Sequence, residues 1–171
     1  MFRRALCLLV LTAAAFAQSD GREPAPRFNA KSVTGETYNN ATLKGIVVLL
    51  QFWTTWCPYC RGEQPLVDKL TQEFGPKGLV VLAIDVGESK KKVKQYLQTS
   101  PRACPIILNE DTNLPAMFAT TQYPVYVVID RDGNIGGVQR GAGGERMLRG
   151  LLGRSGIRSE DRLRSAEETE E

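Results

Sequence analysis

Cys57 and Cys60 stand three residues apart in the stretch Phe-Trp-Thr-Thr-Trp-Cys-Pro-Tyr-Cys, residues 52–60. Two thiols at that spacing can close a disulfide on each other and exchange it with another molecule. Residues 46–53, just before them, form a nearly unbroken apolar run, as expected of a strand covered on both faces. After them Leu66, Val67, Leu70 and Phe74 recur at helical spacing in a segment starting near Pro58. The pair therefore falls where a strand turns into a helix, a position that marks a redox site. The first helical turn offers unpaired backbone N–H groups and the positive end of the helix dipole. A thiolate placed there is stabilised, and its pKa can fall from about 8.5 to roughly 3.5–7.5. Cys57 occupies that start. Cys60 lies one turn further in on the same side, within reach of a mixed disulfide formed by Cys57.

Two blander readings compete with a working dithiol. Zinc takes four ligands, as two such pairs or a pair with histidines, and this chain has no histidine and no second pair. A structural disulfide stabilises mainly by closing a longer loop. The absence of histidine also removes Ser-His-Asp and Cys-His nucleophilic catalysis. Residues 141–144 are glycine-rich but lack the Lys-Ser/Thr ending of a phosphate loop, and read as a loop.

The remaining elements must hold the pair in place. The 171 residues, 42% of them hydrophobic, suit one globular domain with its own core. A small hairpin or extended cap is expected around the turn at Thr34-Gly35-Glu36. The helix after the cysteines carries Pro65, which should kink it, and ends at residues 75–78. Residues 79–85 form the next buried strand, completing a strand–helix–strand unit. Ser89 should cap a helix over residues 90–98. A short strand at residues 106–108 and a short helix at 113–118 follow. A buried strand at 125–129 should pair antiparallel with 135–140 across the Asp132-Gly133 turn. A last helix covers residues 145–152.

The two ends read differently. Arg3 and Arg4, the apolar residues 5–16 and Ala15-Phe16-Ala17 form an export signal, with cleavage expected after Ala17. The alternative is an uncleaved membrane anchor, although the apolar run is short for a span. Residues 18–26 are a polar, flexible leader, and the charged residues 154–171 should be a disordered tail. Without residues 1–17 the chain holds 20 basic against 19 acidic residues, about +1. That balance gives no footprint for nucleic acid or for an acidic membrane. Lys90, Lys91, Lys92 and Lys94 read as a solvated helix face. The expected chain is a monomer with no stable membrane insertion, and residues 27–153 are its folded domain.

The pattern Phe52-Trp53-x-Thr55-Trp56-Cys57-x-x-Cys60-Arg61-x-Glu63-x-Pro65 resembles the TlpA/ResA-type thioredoxin-like proteins. So does Tyr123-Pro124, just before the strand leading to Asp130-Arg131-Asp132-Gly133. The resemblance covers residues 27–153. It implies an α/β thioredoxin fold: a central mixed sheet flanked by helices, with an N-terminal β-hairpin and an inserted strand–helix segment. It implies exported thiol–disulfide oxidoreductase activity, with Cys57 attacking and Cys60 resolving, and no cofactor beyond that dithiol. Trp56 would shield the site, and Pro124 would be a cis-proline facing the disulfide, against the alternative of an ordinary strand-starting proline. Pro58, Tyr59 and Tyr123 complete the substrate groove. Partners would be protein thiol or disulfide substrates, with apocytochrome c in cytochrome c maturation as one possibility, and a membrane thiol electron donor.

Some positions depart from that pattern. Many relatives carry proline just before the second cysteine, where this chain has Tyr59; Cys-Pro-Tyr-Cys is the glutaredoxin order, without the Phe-Trp-x-x-Trp lead-in. Gln51 stands where thioredoxin has a buried aspartate, so the acceptor of the Cys60 proton is open. Glu63 is a candidate, against a reading as a surface carboxylate favoured by the helix start. Cys104 reads as a small buried hydrophobe, or alternatively as a third redox thiol. Two rival functions remain. In a thiol peroxidase of peroxiredoxin type, proline and threonine precede the peroxidatic cysteine by seven and three residues; here Thr54 fits but Leu50 does not. A redox-inert interaction module would not need both Cys57 and Cys60.

Overall fold

The computed structural model describes residues 22–118 and 120–158. Its centre is β3 (Val47–Trp53), whose seven residues are all buried. Successive side chains alternate between the two faces of a strand. Val47, Leu49 and Trp53 accordingly join one core, and Val48, Leu50 and Phe52 the other. Gln51 points to the first of these faces, and is the one polar residue of the strand.

β3 runs parallel to β4 (Leu79–Asp85) in a register that pairs Trp53 with Asp85. The link is α1 (Pro58–Phe74) followed by a short 3-10 turn, Gly75–Lys77. Val67, Leu70 and Phe74 of α1 bury against the sheet; each such side chain contributes about 1.5–3 kcal/mol by leaving water. α1 is continuous through Pro65, whose missing N–H leaves the Arg61 carbonyl without its intrahelical donor. After β4, Ser89 caps α2 (Lys90–Thr99) by accepting from the Lys92 N–H. β5 (Ile106–Thr112) pairs parallel with β4, and α3 (Leu114–Met117) follows. β6 (Val125–Ile129) pairs antiparallel with β3, and β7 (Ile135–Arg140) with β6. α4 (Gly144–Arg154) closes the order.

β1 (Asn29–Ser32) and β2 (Thr37–Asn39) form the expected hairpin, and β1 pairs antiparallel with β5. The result is one seven-stranded mixed sheet in the order β2-β1-β5-β4-β3-β6-β7. One face is covered by α1, α2 and α4 through Val67, Leu70, Val93, Leu148 and Leu152. Phe28, Leu43 and Leu114 cover the other. This is the mixed α/β thioredoxin fold.

Three expectations need correction. β5 extends to Thr112 rather than stopping at Leu108, because β1 gives its polar half a partner: Ala30 pairs with Thr112. The described part of the leader, residues 22–26, is docked. The Glu23 carbonyl accepts from the Ile135 N–H, the Ala25 N–H donates to the Gly133 carbonyl, and Arg22 bonds Asp130 at 2.9 Å. The tail does not begin at Arg154. That residue belongs to α4, and Gly156, with φ of 92°, turns the chain back so that Ile157 buries in the core. The export signal at residues 1–17, leader residues 18–21 and tail residues 159–171 lie outside the described residues. Among the described residues no helix is long and apolar enough to cross a membrane.

Candidate active site

Cys57 is the N-cap of α1, and Pro58, with no N–H to satisfy, takes the first helical position. Cys57 and Cys60 are joined in a disulfide. The Cys60 backbone N–H donates to Cys57 Sγ at 3.1 Å, so a helix-start donor points at the sulfur. That geometry lowers the cost of a thiolate at Cys57 once the bond is reduced.

On the other side of the sulfur stands Tyr123. The Tyr123–Pro124 peptide is cis, and Cys57 Sγ lies 3.6 Å from the Tyr123 carbonyl oxygen. Two aromatic rings are left in solvent beside the pair: Trp56 is 59% exposed and Tyr59 67%. Trp56 meets Tyr123 edge to face, with ring centroids 6.0 Å apart. A sulfur at a helix start is open to solvent unless other groups pack over it. In the disulfide state, however, Cys57 is only 3% exposed and Cys60 1%. The Tyr123 carbonyl and the bonded Cys60 sulfur both lie against it.

Behind the disulfide runs a polar chain that sequence patterning missed. Arg102 donates to Gln51 Oε1, and its guanidinium lies 4.7 Å from the Trp53 ring. Gln51 Nε2 donates to the Tyr126 hydroxyl at 3.2 Å. The Tyr126 hydroxyl donates to Glu63 Oε2 at 2.7 Å, and Glu63 Oε1 accepts from the Gly144 N–H at 2.6 Å. Glu63 is therefore not a surface carboxylate. It is buried, and α4 begins at one of its oxygens. Burial, reinforced by the bond to Glu63, pushes the Tyr126 phenol far above its ordinary range. The place of thioredoxin's buried aspartate is thus filled by an amide held by a cation. The signal in the sequence was Gln51 itself, a polar residue inside an apolar strand.

The loop into Cys57 is held from a second direction. Glu88 accepts from the Thr55 backbone N–H, and from Thr55 Oγ1 at 2.7 Å. Lys92 reaches the same carboxylate at 2.6 Å. Cys104 is buried in the same core as the pair, and burial raises its thiol pKa against the opposing pull of Arg102. That environment suits a packing residue better than a third redox thiol. Among the described residues no group of three or more His, Cys, Asp or Glu side chains is placed to hold a metal ion.

Comparison with known proteins agrees with this geometry. The model of the AhpC/TSA family matches residues 22–138. A thiol-disulfide oxidoreductase ResA of Bacillus cereus is 30% identical over 115 residues, 67% of this chain and 66% of its own length. The thioredoxin-like protein YneN of Bacillus subtilis (strain 168) is 34% identical over 116 residues, 66% of this chain and 67% of its own. The chain thus spans about two thirds of the length of these curated relatives. A thiol:disulfide interchange protein of the thioredoxin family from Chlorobium tepidum TLS superposes with a TM-score of 0.68 at 27% identity, over 78% of this chain and 96% of its own. With its helix-capping Cys57, its Cys60 partner and this fold, the chain belongs to the AhpC/TSA family, as a thiol–disulfide oxidoreductase of the ResA type.

Proposed function

We propose that this oxidoreductase is exported and reduces protein disulfides in the periplasm, as a monomer recharged by a membrane thiol donor. The observation that carries the reading is the Cys57 sulfur, set between the Cys60 N–H and the carbonyl before Pro124. The sequence of residues 1–17 supports export, with the N-terminal anchor as the alternative. Cytochrome c maturation is one pathway in which such a reductant would serve.

The steps follow from thiol–disulfide exchange. The Cys57 thiolate attacks one sulfur of a substrate disulfide. A Cys57–substrate bond forms, the substrate S–S bond breaks, and the second substrate sulfur leaves as a thiolate. Cys60 then gives up its proton and attacks Cys57 Sγ. The Cys57–Cys60 disulfide forms, the first substrate sulfur leaves, and the substrate has gained two electrons. Glu63, one turn beyond Cys60 and buried, is our candidate acceptor for that proton. Its burial supports the assignment, and the Tyr126 and Gly144 bonds fix its carboxylate.

Trp56, Pro58, Tyr59, Tyr123 and Pro124 form the proposed substrate groove. The exposed rings of Trp56 and Tyr59, neighbours of the cysteine pair in the chain, offer apolar area to a substrate. An extended substrate segment would pair with the backbone at Tyr123 in strand fashion. The protein should reduce insulin disulfides with a dithiol donor, and Cys57→Ser should abolish that activity. Rapid catalytic consumption of hydrogen peroxide dependent on Cys57 would instead favour the thiol peroxidase reading.

A further inference from the structure

Asp85 ends β4 opposite Trp53 and is fully buried. Among the described residues, no donor stands in hydrogen-bond geometry to either of its carboxyl oxygens. The nearby Glu88 backbone N–H draws its pKa down only in part. The side chain that faces it is another carboxyl, that of Glu88. Glu88 in turn is almost wholly covered, with its side chain 4% exposed, and is engaged by Lys92 and by both donors of Thr55. Two covered carboxyl groups face to face cannot both carry charge without a large penalty. One proton between them turns that repulsion into a hydrogen bond, and supplies the donor that Asp85 lacks.

The two groups are unequal. Burial, followed by the bond to Glu88 and its charge, pushes Asp85 up to about 8. Burial also works to raise Glu88, but Asp85, Lys92 and Thr55 outweigh it and hold its carboxyl below the ordinary range. The proton therefore rests on Asp85 and the charge on Glu88, where Lys92 and Thr55 can meet it. The groups facing the pair are Lys92 from α2, Thr55 from the loop into Cys57, and the Tyr123 phenol, whose raised pKa reflects burial first and the Asp85 charge last.

We propose that Asp85 and Glu88 share one proton beneath the Cys57 loop, and that Asp85 is a positioning residue for the attacking sulfur. With the proton in place, Glu88 holds Thr55, two residues before Cys57. When it is lost to solvent, a second negative charge appears between Thr55 and Tyr123, the two residues that flank Cys57. The charge opposes a thiolate at Cys57, and the repulsion loosens the grip of Glu88 on Thr55. The inference rests on Cys57 being the attacking thiol.

Infrared difference spectroscopy of the reduced full-length protein tests the pair directly. At neutral pH the wild type should show the carbonyl band of a protonated carboxylic acid. D85N should lack that band, since its amide donates to Glu88 without needing the proton. Absence of the band in the wild type, or its survival in D85N, overturns the proposal. The rate of Cys57 alkylation, located by mass spectrometry from about pH 5 to 10, tests the consequence. The wild type should show two inflections and D85N one. E88Q, which gives Asp85 an amide donor, should move the second inflection to lower pH. Identical profiles in all three proteins overturn the positioning role. If label instead enters Cys60 in every protein, the attacking role of Cys57 fails, while the infrared band still decides whether the proton is shared.

Discussion

Tyr126→Phe removes one oxygen atom from the middle of the polar chain behind the disulfide. The Tyr126 ring is 0% exposed, and phenylalanine fills the same space, so no cavity opens. Two bonds are lost. Glu63 loses the hydroxyl donor at 2.7 Å and keeps only the Gly144 N–H; Gln51 Nε2 loses its acceptor at 3.2 Å. A bond to a charged group contributes about 1.5–3 kcal/mol, and a stranded buried donor costs about 1–3. Relief from burying the hydroxyl offsets part of this, leaving a net loss of about 2–4 kcal/mol. That is a large share of the roughly 5–15 kcal/mol that holds a domain folded. At about 3–4 °C per kcal/mol for a domain of this size, Tm should fall by roughly 6–16 °C. Urea unfolding should show the midpoint moving with an unchanged m-value. A double-mutant cycle with Glu63→Gln should return a coupling above about 0.5 kcal/mol. A loss for Tyr126→Phe below about 0.5 kcal/mol would mean that Tyr126 does not bridge Gln51 and Glu63, and would refute the chain as described.

Other expectations bear on pH, recognition and redox poise. Asp85 titrates higher folded than unfolded, so the folded chain holds its proton more tightly; stability should fall as pH rises from about 4 towards 8. Tm measured across that window should flatten in D85N, and an unchanged slope would count against the assignment. Trp56→Ala should raise KM for a protein disulfide while leaving the rate with a small disulfide nearly intact, because the proposed groove uses its exposed ring for substrate contact rather than for the chemistry at sulfur; equal losses with both would contradict a groove role. The Cys60 N–H at Cys57 Sγ stabilises the reduced protein, as does an Arg102-held Gln51 where a carboxylate would stand. Equilibration with glutathione or dithiothreitol buffers should give a potential roughly between −270 and −180 mV. A value near −120 mV, about that of DsbA, would point to an oxidase instead.

How far the sequence could be read follows from which contacts are local. β3, α1 and β4 carry their own periodicity, and the Asp132-Gly133 turn fixes β6 against β7, so these stood out directly. The second half of β5 did not. Asn109, Glu110, Asp111 and Thr112 are polar, and they become strand only when β1, far upstream in the chain, pairs beside them. Ile157 is one of few apolar residues in a charged segment, with no periodicity to mark it, and Gly156 returns it to the core. At the site, the cysteine pair was legible from its spacing and context, whereas the Tyr123-Pro124 turn was implied only by the family resemblance. Glu63 was left open between a proton acceptor and a surface carboxylate, because its partners, Tyr126 and Gly144, lie far away in the chain. Asp85, like Gln51, was visible as a polar residue in an apolar strand, but nothing in the sequence tied it to Glu88 and Thr55. Coverage of Cys57 by the Tyr123 carbonyl belongs to the folded loop alone.

The central claim is that Cys57 attacks and Cys60 resolves. A Cys60→Ser variant of the reduced protein, mixed with a disulfide-bonded protein substrate, measures it most directly. Mass spectrometry of the non-reduced, alkylated mixture should find a stable mixed disulfide joining substrate to Cys57, with Cys104 unmodified. Failure to form that adduct, or its appearance on Cys104 instead, would contradict the account.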